Sequence, residues 1–369
     1  MSDQNESQQP KEPESGAEQT SAPAAVPAQS GKKTELPSQR PDVSYTLLSN
    51  GMDYLVSVFQ HLTEGATPPS ARDLKYTVLH LQAATEVLLK ARLVHEHFSL
   101  VFADPREATY DKWKSGKFKS CGTLDAFDRL RRIARLALSD DDRDGIAELA
   151  KDRNALQHYG LTHNAHAVEF RAAIVLEFLN TFIHEHLIPE LDPAEAARVE
   201  RNMDSLRLQF KGIKTLVKQR MNNLRSALAK VADVTVKCPD CEQWALVADG
   251  AEAGPTCRFC YQSWDYLPQS AAANYAWIIL GLDENSNIAD GYDPPVTNCP
   301  NCEAYALVTE AVTAADPSGT TPLCFACGNV FHHLTDCGGC GTMMDSGQPD
   351  RLPLCSNCAR LRYPGEALR

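Results

Sequence analysis

A chain of 369 residues with 43% hydrophobic side chains is long enough for two or more packed domains. Its 36 basic and 48 acidic residues leave a formal charge of −12, which argues against broad electrostatic coating of nucleic acid but leaves room for a local basic site. No apolar run approaches the roughly 20 residues of a membrane-spanning helix, and no charged-then-apolar leader opens the chain, so the twelve of its thirteen cysteines that fall in Cys-x-x-Cys pairs are expected in a reducing, cytoplasmic setting as metal ligands rather than disulfides, and the lone Cys121 as a buried small hydrophobe.

Residues 1–41 are mostly Gln, Ser, Pro, Ala and Glu with no aromatic residue. Such a composition buries too little to offset chain entropy, and a disordered tail is expected. From Val43 the pattern turns helical, with Tyr45, Leu48, Met52, Leu55, Val56 and Phe59 at helical spacing. Thr67-Pro68-Pro69-Ser70 interrupts it, and Ser70 is placed to cap a second helix carrying Leu74, Val78, Leu81, Leu88, Leu89 and Leu93. Within that helix Glu86 and Lys90 are an i, i+4 pair. They read as a solvated ion pair or as support for a nearby site. Between 103 and 123 a loop with a short helix is expected around Tyr110 and Trp113. Lys112, Lys114, Lys117 and Lys119 bracket Trp113 and Phe118 there, an interleaving of charge and rings that suits single-stranded nucleic acid. A solvated loop pinned by one buried tryptophan fits equally well.

A helix from Leu124 to Leu138 follows, with Phe127, Leu130 and Ile133 inward and Arg129, Arg131, Arg132 and Arg135 on its polar face. Asp140-Asp141-Asp142 makes an acidic first turn for the next helix, which continues through Ile146 and Leu149 to a stop at Gly160. Val168, Ile174, Val175, Phe178, Leu179, Phe182 and Ile183 mark one more amphipathic helix ending near Pro189. Four or five such helices with short loops predict an up-and-down bundle over 42–190. His158, His163 and His166 lie close in sequence, but no carboxylate or cysteine stands at ligand spacing beside them, so metal is not expected there.

The stretch Lys151-Asp152-Arg153-Asn154-Ala155-Leu156-Gln157-His158-Tyr159-Gly160 unites two chemistries. Arg153 is a permanent forked cation suited to phosphate oxygens, and His158 can exchange a proton near neutral pH. They are five residues apart, about 1.4 helical turns, so they do not share one helix face. Arg-Asn-x-x-x-His between amphipathic helices resembles the HEPN superfamily, whose ribonuclease members carry an Arg-x4-6-His motif with a polar residue after the Arg. The resemblance covers roughly residues 43–188. It implies a HEPN-like helical bundle that dimerises, with Arg153, Asn154 and His158 as catalytic residues at a shared cleft. It also implies RNA as substrate, with toxin–antitoxin, phage-defence or RNA-processing roles and an antitoxin or other protein as partner. Some family toxins end the motif in His-x-Tyr. Here Tyr159 directly follows His158, which puts any regulation through that tyrosine in doubt. The plain alternative is a surface arginine and a helix-ending histidine.

Residues 191–232 are expected as one long linker helix from Pro193 to about Val231, with Met203, Leu206, Phe210, Ile213, Val217, Leu224 and Leu228 in a coiled-coil-like seam. Its other faces hold Arg207, Lys211, Lys214, Lys218, Arg220, Arg225 and Lys230. A solvated stalk or dimer seam is the default reading and an arm for RNA the other.

Twelve cysteines form six Cys-x-x-Cys pairs. Cys238/Cys241 and Cys257/Cys260 stand 15 residues apart, Cys299/Cys302 and Cys324/Cys327 stand 21 apart, and Cys337/Cys340 and Cys355/Cys358 stand 14 apart. These are four-cysteine zinc-ribbon spacings. Three structural Zn2+ ions are expected, in ribbons at 233–268, 297–331 and 332–369, with a helix and linker over 269–296. All four ligands would be sulfur in each, which leaves no open position for metal catalysis. An interleaved cross-brace over 299–358, near His332 and His333, is the less favoured pairing. Trp244-Ala-Leu-Val247 and Tyr305-Ala-Leu-Val308 occupy matching places, as duplicated ribbons would. The fold class is therefore a mainly α, HEPN-like bundle, a long linker helix and small β zinc ribbons. The function expected is a metal-independent endoribonuclease whose ribbons bind RNA or a partner. The alternative is a non-catalytic dimerisation or nucleotide-binding module with a docking array of ribbons.

Overall fold

The computed structural model describes residues 43–63, 68–289, 291, 293–346 and 354–362; the expected disordered tail and Thr67 lie outside these. The N-terminal half is helical: α1 (Leu47–Thr63), α2 (Ala71–Glu96), α3 (Tyr110–Ser115), α4 (Thr123–Arg132), α5 (Asp140–His158) and α6 (Ala165–Phe182), the last prolonged by a π turn to Leu187. Local chemistry sets the starts. Ser70 with Asp73, and Ser139 with Asp142, form capping boxes at α2 and α5, and Asn164 caps α6. Gly160 closes α5 from the left-handed region (φ +91°), donating its N–H to Ala155 O at 2.7 Å.

The bundle is arranged around α2. Its C-terminal half is buried almost all round, from Leu81 through Leu93, because α1, α4, α5 and α6 all pack on it. A helix packed against on almost every side is a core element even where it carries Gln82, Lys90 and Arg92. Among its buried polar groups, Gln82 Nε2 donates to Thr123, and Lys90 donates to Glu86 and to Ser120 Oγ at 2.9 Å, whereas Thr77 Oγ1 and Gln82 Oε1 have no hydrogen-bond partner among the described residues.

Two sequence expectations change here. The helix expected over 124–138 stops at Arg132, Arg135 takes a left-handed φ of +57°, and Ile133 is 51% exposed rather than inward. The chain turns so that Leu138 can be buried beside the start of α5. The single long helix expected from Pro193 is two helices, α7 (Pro193–Phe210) and α8 (Lys214–Ala229), broken at Lys211–Ile213. Ile213 leaves helical geometry (φ −93°, ψ 87°). Before the break Val199, Met203, Leu206 and Phe210 are buried, and after it Leu216, Arg220 and Leu228. Both helices lie on the bundle: Phe210 packs on Phe59 of α1 with ring centroids 4.8 Å apart, and α8 packs on α6. The segment is part of the core, not a stalk.

The C-terminal half holds three small antiparallel sheets, with strand orders β1-β2-β3 (Thr235–Lys237, Trp244–Val247, Thr256–Cys257), β4-β5-β6 (Val296–Asn298, Tyr305–Ala311, Thr321–Cys324) and β7-β8 (Leu334–Asp336, Met343–Asp345). The first two repeat one another down to register. Val236 faces Leu246 and Thr297 faces Leu307, and both first strands carry an irregularity just after that pair. They are joined through backbone: Ala314 N–H donates to Thr235 O at 2.7 Å, and Gly250 and Gly328 lie so close that a Cβ on Gly328 would sit 2.6 Å from Asp249 C. Between them α9 (Pro268–Asn274), extended by a π turn over Tyr275–Ile279, packs on β5, where the buried Tyr275 hydroxyl accepts from Val312 N–H at 3.0 Å. A short α10 (Glu284–Ala289) follows, and α11 (Ser356–Arg362) comes after β8.

Candidate metal centres and the Arg153–His158 helix

Six Cys-x-x-Cys turns are built alike. In each, the N–H four residues after the first cysteine donates back to that cysteine's carbonyl, from Glu242, Tyr261, Glu303, Gly328, Gly341 and Ala359 at 2.8–2.9 Å. In the first five, the first cysteine's own N–H donates to the carbonyl five residues on. Closing that ring requires a left-handed residue after the second cysteine. Glycine supplies it at 328 and 341, and Glu242, Tyr261 and Glu303 adopt it at φ of +61°, +58° and +63°. The sixth turn opens α11 instead. In all of the first five turns the place directly after the second cysteine is the sequence signal that marks the left-handed position.

These turns bring together Cys238, Cys241, Cys257 and Cys260; Cys299, Cys302, Cys324 and Cys327; and Cys337, Cys340, Cys355 and Cys358, the sulfurs of each set within 4.8 Å of one another. The pairing is sequential, not cross-braced, and His332 and His333 belong to none of the sets. Closest sulfurs are 3.6–3.8 Å apart: Cys238 to Cys260, Cys241 to Cys257, Cys299 to Cys327, Cys302 to Cys324 and Cys340 to Cys355. That is far beyond the ~2.05 Å of a disulfide. It matches the edge of about 3.8 Å of a tetrahedron with metal–sulfur bonds of about 2.3 Å. Each set can hold one metal ion with every position filled by sulfur.

Backbone N–H groups tune the thiols. Cys355 and Gly339 donate to Cys337 Sγ at 3.2 and 3.4 Å, which lowers its pKa to about 6. Hydrogen bonds from Cys241, Cys257 and Cys260 hold Cys238 far below the ordinary thiol value. This favours thiolate, the form that binds metal, at Cys337 and Cys238, whereas their partners Cys358, Cys257 and Cys260 are pushed up by the neighbouring sulfurs and, for Cys257 most of all, by burial. The first set is wholly buried, whereas Cys302 and Cys340 are exposed in the others. Trp264 and Phe331 are buried at equivalent places in the first two ribbons, and Tyr266 is exposed.

The first ribbon is riveted to the bundle by Arg220. This side chain is 1% exposed. Its Nε donates to Phe259 O, Nη2 to Arg258 O at 2.7 Å, and Nη1 to Glu177 Oε1 at 3.2 Å and Thr181 Oγ1 at 3.0 Å. The guanidinium carbon lies 4.8 Å from the Tyr261 ring centroid. Arg207 pairs with Asp204 and Asp240, and Lys211 with Glu242 at 2.8 Å. The basic run of 205–230 is thus partly spent inside the molecule. Sequence reading places Arg220 among the solvated basic side chains, because the distant acceptors that bury it are not visible in the local pattern.

The Arg153–His158 segment lies at the end of α5, helical through His158. On a continuous helix a five-residue separation places two side chains about 140° apart around the axis and about 7.5 Å along it. Arg153 is half-buried and Nη1 donates to Asn154 Oδ1 at 3.0 Å; Asn154 and His158 are exposed. Glu86 accepts from Lys90 and from Thr123 Oγ1 at 3.2 Å, and these, rather than Arg153, are its hydrogen-bond partners. Beside the motif, buried Asp152 accepts from Arg171 Nε at 2.5 Å and faces His163 at 3.8 Å, tying the loop after Gly160 to α5 and α6. In the basic loop, Trp113 is half-buried against Phe98 and Phe118, while Lys112, Lys114, Lys117 and Lys119 are exposed. Arg129 braces this loop by donating to the carbonyls of Leu100, Phe102 and Ala103.

Among the described residues no helix is long and apolar enough to cross a membrane. No protein-family model matches this chain, and neither the curated proteins nor the solved structures contain a match. The resemblance to HEPN proteins stands on the motif and its helical setting.

Proposed function

We propose that this chain is a metal-independent endoribonuclease of HEPN type, held together by three structural Zn2+ ions and acting as a pair of chains in the cytoplasm. The observation that carries the reading is the solvent-facing end of α5: Arg153 is oriented by Asn154, and His158 is open to a ligand. Because one helix points the two side chains apart, a cleft that uses both requires the motif of a second copy. In such a cleft His158 takes the proton of a ribose 2′-hydroxyl as it attacks the adjacent phosphorus, and Arg153 stabilises the phosphate charge. The P–O5′ bond breaks, the 5′-oxygen leaves and takes up a proton to become a 5′-hydroxyl, and the other product carries a 2′,3′-cyclic phosphate. The exposed lysines around Trp113 supply a surface for single-stranded RNA. Zinc fits the all-sulfur tetrahedra, contributes stability and takes no part in the chemistry.

The second reading is a non-catalytic scaffold in which the ribbons dock a protein partner. The divergence of Arg153 and His158 on one helix favours it. Full-length, zinc-loaded protein incubated with labelled RNA without free divalent cation separates the two. The nuclease reading expects cleavage with cyclic-phosphate ends, abolished by His158→Ala and by Arg153→Ala while the far-UV circular dichroism stays unchanged. RNA left intact by the wild type refutes it and leaves the scaffold.

A further inference from the structure

Helices α5 and α6 cross closely at Gly145, where an added Cβ would lie 2.7 Å from Ile174 Cγ2. Beside this crossing a groove of about 900 Å³ opens along α5, α6 and α8. Its floor is apolar: Leu138, Phe178 and Phe182 are buried, Ile174 is half-buried, and Phe170 at its edge is 51% exposed. Phe170, Ile174 and Phe178 are spaced i, i+4, i+8, so they form one continuous apolar row rather than scattered surface residues.

The rim is acidic. Asp141, Asp144 and Glu148 of α5 line it, and Glu177 lies deeper. Asp141 and Asp144 form no ion pair among the described residues, and Glu148 pairs only with the neighbouring Lys151. The single lining arginine, Arg171, is already held by Asp152. The carboxylates are not gathered as metal ligands, since the metal-ligating groups among the described residues are the three cysteine sets. Asp141 and Asp144, without an ion pair among the described residues, repel phosphate and anionic lipid beside the groove. Together with the apolar row they complement a helix that has an apolar stripe flanked by basic side chains, the helix-in-groove mode of recognition.

We propose that the groove between α5, α6 and α8 is a docking surface for a cationic amphipathic helix of another protein. This surface is distinct from the Arg153–His158 end of α5 and does not depend on RNA cleavage.

The test is fluorescence anisotropy on the full-length, zinc-loaded protein. The probe is a labelled synthetic peptide with leucines at i, i+3, i+4, i+7 spacing and lysines elsewhere. A scrambled peptide of equal composition and a glutamate-for-lysine version serve as comparisons. The probe is expected to bind, and the two comparison peptides to bind at least about tenfold more weakly, equal to ~1.4 kcal/mol. Phe170→Ala, and separately Asp141→Asn with Asp144→Asn, should each weaken the probe by about tenfold or more. Glu252→Gln, an exposed acidic residue outside the groove, should leave binding unchanged. All the substituted positions are exposed or on the rim, and circular dichroism checks the fold. Equal binding of the scrambled peptide would reduce the effect to the net negative charge and overturn the proposal. Absence of probe binding, or insensitivity to both groove variants, would overturn it too. A concentration-dependent dimer dissolved by Phe170→Ala would assign the groove to a second copy instead.

Discussion

Replacing Arg220 by methionine keeps the length of the side chain and removes the guanidinium. Its partners are then stranded: the Glu177 carboxylate, 12% exposed, and the carbonyls of Arg258 and Phe259 lose their donors. Removing one member of a buried ion pair costs about 3–5 kcal/mol, mostly through the uncompensated charge left behind. Burial already raises the Glu177 pKa above 4.5, and Arg220 is the largest influence opposing it. In Arg220→Met the carboxyl rises further. A raised folded-state carboxyl weakens the fold above that value and ceases to do so as pH falls toward its ordinary 4.5. The deficit of Arg220→Met should therefore be full at neutral pH and shrink on acidification. Adding Glu177→Gln to the variant should recover at least about 1 kcal/mol, since a buried neutral amide costs less than a buried charge. Arg220→Lys should fail to rescue, because one ammonium cannot span three directions of acceptor. Urea denaturation of the zinc-loaded chain, followed by far-UV circular dichroism and tryptophan fluorescence, reads these effects. A deficit within about 0.5 kcal/mol of wild type, the range of ordinary surface changes, would refute the rivet. So would the absence of any recovery with Glu177→Gln.

His184, stacked on Tyr261 at 4.2 Å, has its pKa lowered from 6.5 to about 4 by burial and then by Arg220 and Arg207. A lowered histidine contributes stability that is full above pH 6.5 and lost as pH falls through about 4. The wild type should lose up to about 3 kcal/mol over that interval that His184→Gln does not lose, read as the difference between their pH–stability curves. Gly328→Ala should destabilise more than Gly341→Ala. Both lie at positive φ, which costs alanine about 1–2 kcal/mol, but only at 328 would the new Cβ meet backbone, 2.6 Å from Asp249 C. Thermal melts of the two variants decide it, and equal effects would remove the close contact between the ribbons as an explanation. A zinc-sensitive dye should release three ions per chain from the three cysteine sets. The Cys337 set, with Cys340 exposed, should empty before the fully buried Cys238 set. A smaller total or simultaneous loss would contradict that order.

What the sequence determined by itself is local. The cysteine pairing could be read from spacing, because each Cys-x-x-Cys turn closes through hydrogen bonds across four or five residues and its partner lies a short loop away. The α2 start could be read at Ser70, the α5 start at the acidic turn Asp140-Asp141-Asp142 and the end of α5 at Gly160, because a helix end needs only its own turn. The duplicated strands could be read at Trp244 and Tyr305. Only the tertiary structure decided the rest. The helix expected through Val231 breaks at Lys211–Ile213 so that Phe210 meets Phe59 and Arg220 meets Glu177 and Phe259, partners far away in the chain. Solvation of the basic face was the natural reading of Arg220 until those acceptors appeared. Arg153 and His158 pose the same problem in reverse: the residues are plain in the sequence, but which volume they serve depends on the unbroken helix between them and on what packs against its end. Short-range hydrogen bonds are fixed by neighbours in the chain, whereas the burial of a charge is fixed by groups that only folding brings within reach.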